Sequence, residues 1–143
     1  MELKIKKLND RAIIPQYAHH GDAGLDLIAT SYEFDNVKGN HIYGTGLAFE
    51  IPEGYVGLLF PRSSNRKTNA YLTNHVGVID SGYRGEVMIT FKNRDANDTS
   101  APYNVGDKLA QLIIVPFAVT TPVECEELSD TERGTNGHGS TGN

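Results

Sequence analysis

The chain has 143 residues, 38% of them hydrophobic and 22% charged, with no Trp and a formal net charge of -5. That length fits one domain with its own core, and the apolar content excludes a disordered chain. The negative balance excludes a nucleic-acid backbone as main partner, which needs clustered Lys and Arg, but leaves room for one small anion held by local cations.

In MELKIKKLND (1–10), Leu3 and Ile5 alternate with Lys4 and Lys6, the period of a strand. The stretch has no apolar core of a signal peptide, and no run in the chain has the length of a membrane span. Cys125 is the single cysteine, so no intramolecular disulfide forms, which fits a reducing, cytoplasmic compartment. We expect neither a membrane nor a nucleic acid as partner.

In GDAGLDLIA (21–29), Asp22 and Asp26 precede or enter an apolar strand. Two such carboxylates could serve the outer shell of a hydrated Mg²⁺, or cap their own turn. YVGLLF (55–60) is continuously apolar and predicts a strand buried on both faces. PRSSNRK (61–67) follows it, predicted as a loop. Arg62, Ser63 and Ser64 there make a phosphate cradle, or a solvated basic loop.

The stretch LTNHVGVIDSGYRGEV (72–87) predicts a β-hairpin with Asp80 where the first strand ends. Val78 and Ile79 should limit the solvation of Asp80. Its carboxylate either positions and deprotonates a water or caps the turn. Tyr83 either faces a ligand over the hairpin or packs across the strands. In EVMITFKN (86–93), Val87, Ile89 and Phe91 share one face.

Residues 94–103 are polar and predict a loop. In GDKLAQL (106–112), Gln111 lies in an apolar strand and needs a partner from backbone or ligand; LIIVPF (112–117) continues it and, like YVGLLF, predicts burial on both faces. From Ser129 the chain is polar and Gly-rich, either a frayed tail or a strap over something charged. No amphipathic helix of a dozen residues is present. Many short strands with frequent turns predict an all-β sandwich, jelly roll or barrel. HExxH, CxxC, GxSxG and GxxxxGK[ST] are all absent, which argues against zinc sites and the common hydrolase and NTPase folds.

Five segments, DAGLDLIA, PRSS, GVIDSGYRGEV, GDKLAQLI and RGTNGHGSTG, resemble in order the five motifs of the trimeric dUTP diphosphatases (dUTPases). The resemblance implies a distorted jelly-roll or β-barrel-like subunit over residues 1–128 and a C-terminal tail, 129–143, closing over an active site. It implies a homotrimer whose sites are each shared by three subunits. It implies Mg²⁺-assisted hydrolysis of dUTP to dUMP and pyrophosphate, limiting uracil in DNA and supplying dUMP for thymidylate synthesis. By position, Asp80 matches the Asp that activates the attacking water. Asn74, Gly77 and Val78 match the uracil-reading part, and Tyr83 matches the Tyr on the deoxyribose that excludes a 2′-hydroxyl. Arg62, Ser63, Ser64 and Gln111 match phosphate-binding groups, and Asp26 an outer-shell acid near the metal. Arg133, Gly139, Ser140 and Thr141 match the tail's grip on the distal phosphates.

Three departures stand out. His138 replaces the usual Phe that stacks on uracil, giving a smaller ring that ionises near neutral pH. Asn136 replaces a Gly, and Ser64 stands where many members have Gly. The related dCTP deaminases carry a catalytic Glu at the position of Thr90, which cannot act as that base. A non-catalytic binding module on the same fold would not require Asp80, Tyr83, Arg62 and Arg133 together.

Overall fold

Alternating burial along short strands builds the architecture. A computed structural model describes residues 1–137. Its strands are β1 (Lys4–Lys7), β2 (Leu25–Ile28), β3 (Ser31–Asp35), β4 (Asn40–Gly44), β5 (Leu47–Glu50), β6 (Tyr55–Pro61), β7 (Ala70–Leu72), β8 (Gly77–Ile79), β9 (Met88–Asn93) and β10 (Lys108–Pro116). The 61–67 segment, predicted as a loop, holds a 3-10 turn at Ser63–Lys67.

Two four-stranded antiparallel sheets, β2-β10-β6-β8 and β3-β4-β9-β7, carry the fold, with β1 paired to β5 beside them. The all-β expectation holds. The sheets remain open and do not close into a barrel, because β2, β8, β3 and β7 end them as edges.

Leu27, Leu59 and Leu112 from the first sheet and Tyr43, Ile89 and Phe91 from the second lie in one buried cluster. Val87, Ile89 and Phe91 all face inward, as the period predicted. Burial of one such side chain stabilises by about 1.5–3 kcal/mol. Tyr43 packs edge-on to Phe91, and its hydroxyl donates to the Tyr103 carbonyl at 2.9 Å. Burial pushes the Tyr43 phenol up to about 12, so it remains a donor.

The runs predicted to be buried on both faces are not. Val56, Leu58 and Phe60 on β6, and Ile113 and Val115 on β10, point away from the core and are only half-buried. The outer face of that sheet is thus apolar and partly uncovered.

His41 on β4 is 1% exposed. Its Nδ1 lies 3.0 Å from the Tyr32 hydroxyl, and its Nε2 has no partner among the described residues. Burial lowers its pKa from the usual 6.5, against a smaller opposing pull from Asp98. The unfolded chain therefore takes up this proton first, so stability falls as pH drops below 6.5 towards the folded value. His41→Phe retains a ring between Tyr32 and Phe34 and removes the orphan nitrogen. We expect the variant to gain on the wild type as pH falls from 6.5 to 5, by up to about 1.4 kcal/mol per pH unit. Denaturant melts at each pH read this, and parallel pH profiles would refute it.

Candidate functional site

The first group of polar residues sits at one end of the β2-β10-β6 sheet. Gln111 on β10 is the register partner of Asp26 on β2 and of Phe60 on β6, so Asp26 and Gln111 share the outer face just where β6 emerges into Arg62. The Arg62 Nε donates to Asp26 Oδ1 at 2.6 Å and Nη2 to Oδ2 at 3.3 Å, while Nη1 reaches the Ser64 hydroxyl at 3.2 Å. The Gln111 amide donates to the Pro61 carbonyl at 3.2 Å. Gly24 lies against it: a Cβ there would stand 2.5 Å from Gln111 Oε1 and push the amide aside. Asn65 steadies the loop by accepting from the Tyr103 hydroxyl at 2.8 Å and donating to the Ala70 carbonyl at 3.1 Å. Ser63 is exposed on the same turn.

Lys108 joins this group unpredicted, its Nζ 2.9 Å from Asp26 Oδ2. Simple alternation puts Lys108 inward with Ala110 and Leu112. A bulge in the β10–β2 register between Lys108 and Ala110 reverses the phase, buries Leu109 and turns Lys108 outward. Burial pushes the Asp26 carboxyl up, but hydrogen bonds and charges from Lys108 and Arg62 outweigh it, leaving it below the usual carboxylate value. Asp22 stays apart. It accepts from the His19 backbone N–H at 2.8 Å and caps its own turn, so only Asp26 of the two is placed for a ligand.

The second group surrounds a cavity of about 280 Å³ whose lining includes Asn74, Gly77, Val78, Asp80 and Tyr83. The turn before β8 bends through His75 at φ 59°, which presents Asn74. A Cβ on Gly77 would lie 3.1 Å from Leu59 Cβ and 3.3 Å from the Asn74 amide nitrogen, so a larger residue there would crowd Leu59 and displace the Asn74 amide.

The hairpin differs from expectation. β8 pairs with β6 and β9 pairs with β4 and β7, so the two arms belong to different sheets and residues 80–87 bridge them. Val78 is 65% exposed and does not shield Asp80, which is also exposed. The turn itself closes through main chain, with Tyr83 N–H donating to the Asp80 carbonyl at 3.1 Å. The turn carboxylates of Asp22, Asp35, Asp95, Asp98 and Asp107 each accept a backbone N–H. The Asp80 carboxylate has no such partner among the described residues. The turn does not use it, which leaves it available to a water.

One chain does not unite the two groups. Asp80 follows Ile79, the partner of Gly57 near the start of β6, while Arg62 follows the end of β6. At about 3.3 Å per residue the separation is roughly 20 Å. Arg133 is exposed and donates from Nε to the Asn136 carbonyl of its own segment at 3.1 Å. His138, Gly139, Ser140 and Thr141 lie outside the described residues. Among the described residues no three acidic, His or Cys side chains cluster to hold a metal ion, and no helix is long and apolar enough to cross a membrane.

Residues 10–142 match the sequence model of the family described as dUTPase. The chain is 40% identical over 143 residues to the deoxyuridine 5'-triphosphate nucleotidohydrolase of Clostridium acetobutylicum, across 99% of this chain and 97% of that protein. It is 41% identical over 141 residues to that of Clostridioides difficile, across 98% and 97%. A mutant dUTPase of Staphylococcus bacteriophage 80alpha, solved with dUpNHpp, superposes with a TM-score of 0.81 at 29% identity, across 99% of this chain and 98% of that one. A mutant dUTPase of phage phi11 of S. aureus, whose structure details the coordination of a structural Mg(II) ion, superposes with a TM-score of 0.73 at 31% identity, across 89% and 98%. The chain belongs to the dUTPase family.

Proposed function

We propose that the protein hydrolyses dUTP to dUMP and pyrophosphate, with Asp80 as the general base. The observation that carries this is the gathering of Asn74, Gly77, Val78, Asp80 and Tyr83 around one cavity, with the Asp80 carboxylate unused by its own turn. The cavity approaches the lower end of the range for small-ligand sites, about 300 Å³. The backbone of Gly77 and Val78 and the Asn74 amide read the base edge. Tyr83 packs on the deoxyribose where a 2′-hydroxyl would need room.

Asp80 takes a proton from a water as its oxygen attacks the α-phosphorus. The bond from that phosphorus to the bridging oxygen breaks, and pyrophosphate leaves. Arg62, Ser63, Ser64 and Gln111 hold phosphate oxygens; in the tail, a part separate from residues 1–128, Arg133, Gly139, Ser140 and Thr141 take the distal phosphates, while His138 stands in for the ring that stacks on uracil. Arg62 pairs with Asp26, and Lys108 keeps that carboxylate paired when phosphate draws Arg62 away.

Both Asp26 oxygens are engaged by cations, so its chemistry suits the outer shell of a hydrated ion and not a direct ligand. This fits Mg²⁺ arriving on the triphosphate, since Mg²⁺ keeps several waters and binds through few protein groups. When bound, it neutralises charge on the phosphates.

A general base must lie within about 3 Å of the proton it removes. The separation of Asp80 from Arg62 therefore supports a site shared between subunits of a homotrimer. The half-covered apolar outer face of β6 and β10 supports the same assembly. A cytoplasmic role, removing dUTP from the precursors of DNA and supplying dUMP for thymidylate synthesis, completes the reading.

The test is pyrophosphate release with Mg²⁺ from dUTP, dTTP, dCTP and UTP in parallel. We expect a preference for dUTP of at least about 10²-fold in kcat/KM. Equal rates on all four, or release from none, would remove the proposal.

A further inference from the structure

Tyr83 is 47% exposed, and an exposed ring on a loop does not by itself refuse a hydroxyl. Its position is fixed by neighbours. The Tyr83 hydroxyl donates to the Glu86 carbonyl at 2.9 Å. The ring lies over Gly85, where any Cβ would overlap the phenol. The ring is thus only as steady as the main chain at Glu86.

That main chain is clamped to the corner between β4 and β5. Gly46 N–H donates to Glu86 Oε1 at 2.7 Å, the Thr45 hydroxyl donates to the Val87 carbonyl at 2.8 Å, and Val87 N–H donates to the Leu47 carbonyl at 2.9 Å. The corner is itself rigid. Gly46 sits at φ +66°, where a Cβ would collide with Asn9 and Ala12, and its carbonyl accepts from Leu8 N–H at 2.8 Å. The Glu86 carboxylate fits a notch at Gly44, where a Cβ would stand 2.7 Å from Oε1. Of the three clamps, the carboxylate is the one made by the side chain of the residue that carries the acceptor for Tyr83.

We infer that Glu86 is a positioning residue for sugar discrimination: it anchors Tyr83 to the β4–β5 corner so that the ring cannot yield to a 2′-hydroxyl. This rests on the reading that Tyr83 packs on the deoxyribose. The physics is that of a supported site. A contact that merely fills space rejects an added hydroxyl only modestly, and displacement of about 1 Å at a site group costs about 10²-fold. Refusal of UTP thus depends on what holds the ring.

The experiment compares kcat/KM for dUTP and UTP in the wild type, Glu86→Ala, Glu86→Gln and Tyr83→Ala. The glutamine retains an oxygen that accepts from Gly46. We expect Glu86→Ala to lower the dUTP:UTP ratio by about 10-fold or more, Glu86→Gln to stay within about 3-fold of wild type, and Tyr83→Ala to lower the ratio at least as far as Glu86→Ala. Loss of overall stability lowers both substrates together and does not move the ratio. If Glu86→Ala does not fold, Glu86→Leu fills the same notch without an acceptor and takes its place. A ratio that falls in Tyr83→Ala but holds in the Glu86 variant overturns the role of Glu86. A ratio that holds in Tyr83→Ala overturns the sugar reading of Tyr83 itself, and the inference falls with it.

Discussion

Asp80→Asn should lower dUTP turnover by about 10²–10⁴-fold, the usual contribution of a positioned general base. Binding of a non-hydrolysable dUTP analogue should be unchanged or tighter. The substitution is close to isosteric. It preserves the main-chain bond from Tyr83 N–H to the residue-80 carbonyl at 3.1 Å, so the turn survives. An oxygen that can orient a water is also retained. What is lost is the capacity to take the proton, together with a negative charge beside an anionic ligand. Single-turnover pyrophosphate release and titration calorimetry separate the two effects. Turnover near the wild-type rate would show that the water is activated elsewhere.

Arg62→Ala should lower kcat/KM by about 10²–10³-fold, the scale of a removed transition-state donor. Arg62→Lys should recover little of this, because an ammonium cannot reproduce the planar, bidentate geometry with which the guanidinium holds Asp26 and would grip a phosphate. The larger effect appears on mixing. If each site takes its phosphate cradle from one subunit and its base from another, Asp80→Asn and Arg62→Ala complement each other. Trimers formed randomly from equal amounts of the two inactive variants should regain about a quarter of wild-type activity, because one subunit pairing in four carries both intact residues. Co-refolding the two variants and assaying pyrophosphate release measures this. No recovery, in mixtures shown by light scattering to be trimeric, would place Asp80 and Arg62 in the same subunit's site. A monomer would defeat the shared site outright.

The fold class was legible because burial of β9 follows strict alternation, Ile89 and Phe91 inward and Met88 outward. Strands β3, β4, β5 and β7 were not: SYEFD has no buried residue, and NHIYG buries the polar His41 and the small Gly44 beside Tyr43, so neither shows an apolar alternation. His41 is the sharpest case, a polar side chain that is fully buried. Of the candidate site residues, the motif order singled out Asp26, Arg62, Ser64 and Gln111, and the structure brings these four side chains to one end of a sheet. Lys108 was missed because nothing in the sequence marks the bulge between Lys108 and Ala110, and simple alternation from Ala110 and Leu112 would turn it inward. The destination of the hairpin arms was missed because local turn chemistry fixes the bend at Asp80 and says nothing about which sheet receives each arm.

That division of the hairpin has a consequence for how the enzyme works across temperatures. Residues 80–87 are fastened at one end to β8 and at the other to β9, so their shape records the offset between the two sheets. A slide of one sheet over the other loads this segment and the main-chain bond from Tyr83 N–H to the Asp80 carbonyl that closes its turn. The core side chains between the sheets, Leu59 and Phe91 among them, therefore bear on the stiffness of residues 80–87 as well as on the melting point. In such a design, adaptation to a colder or warmer habitat acts on turnover through buried hydrocarbon, with every polar residue of the site left as it is.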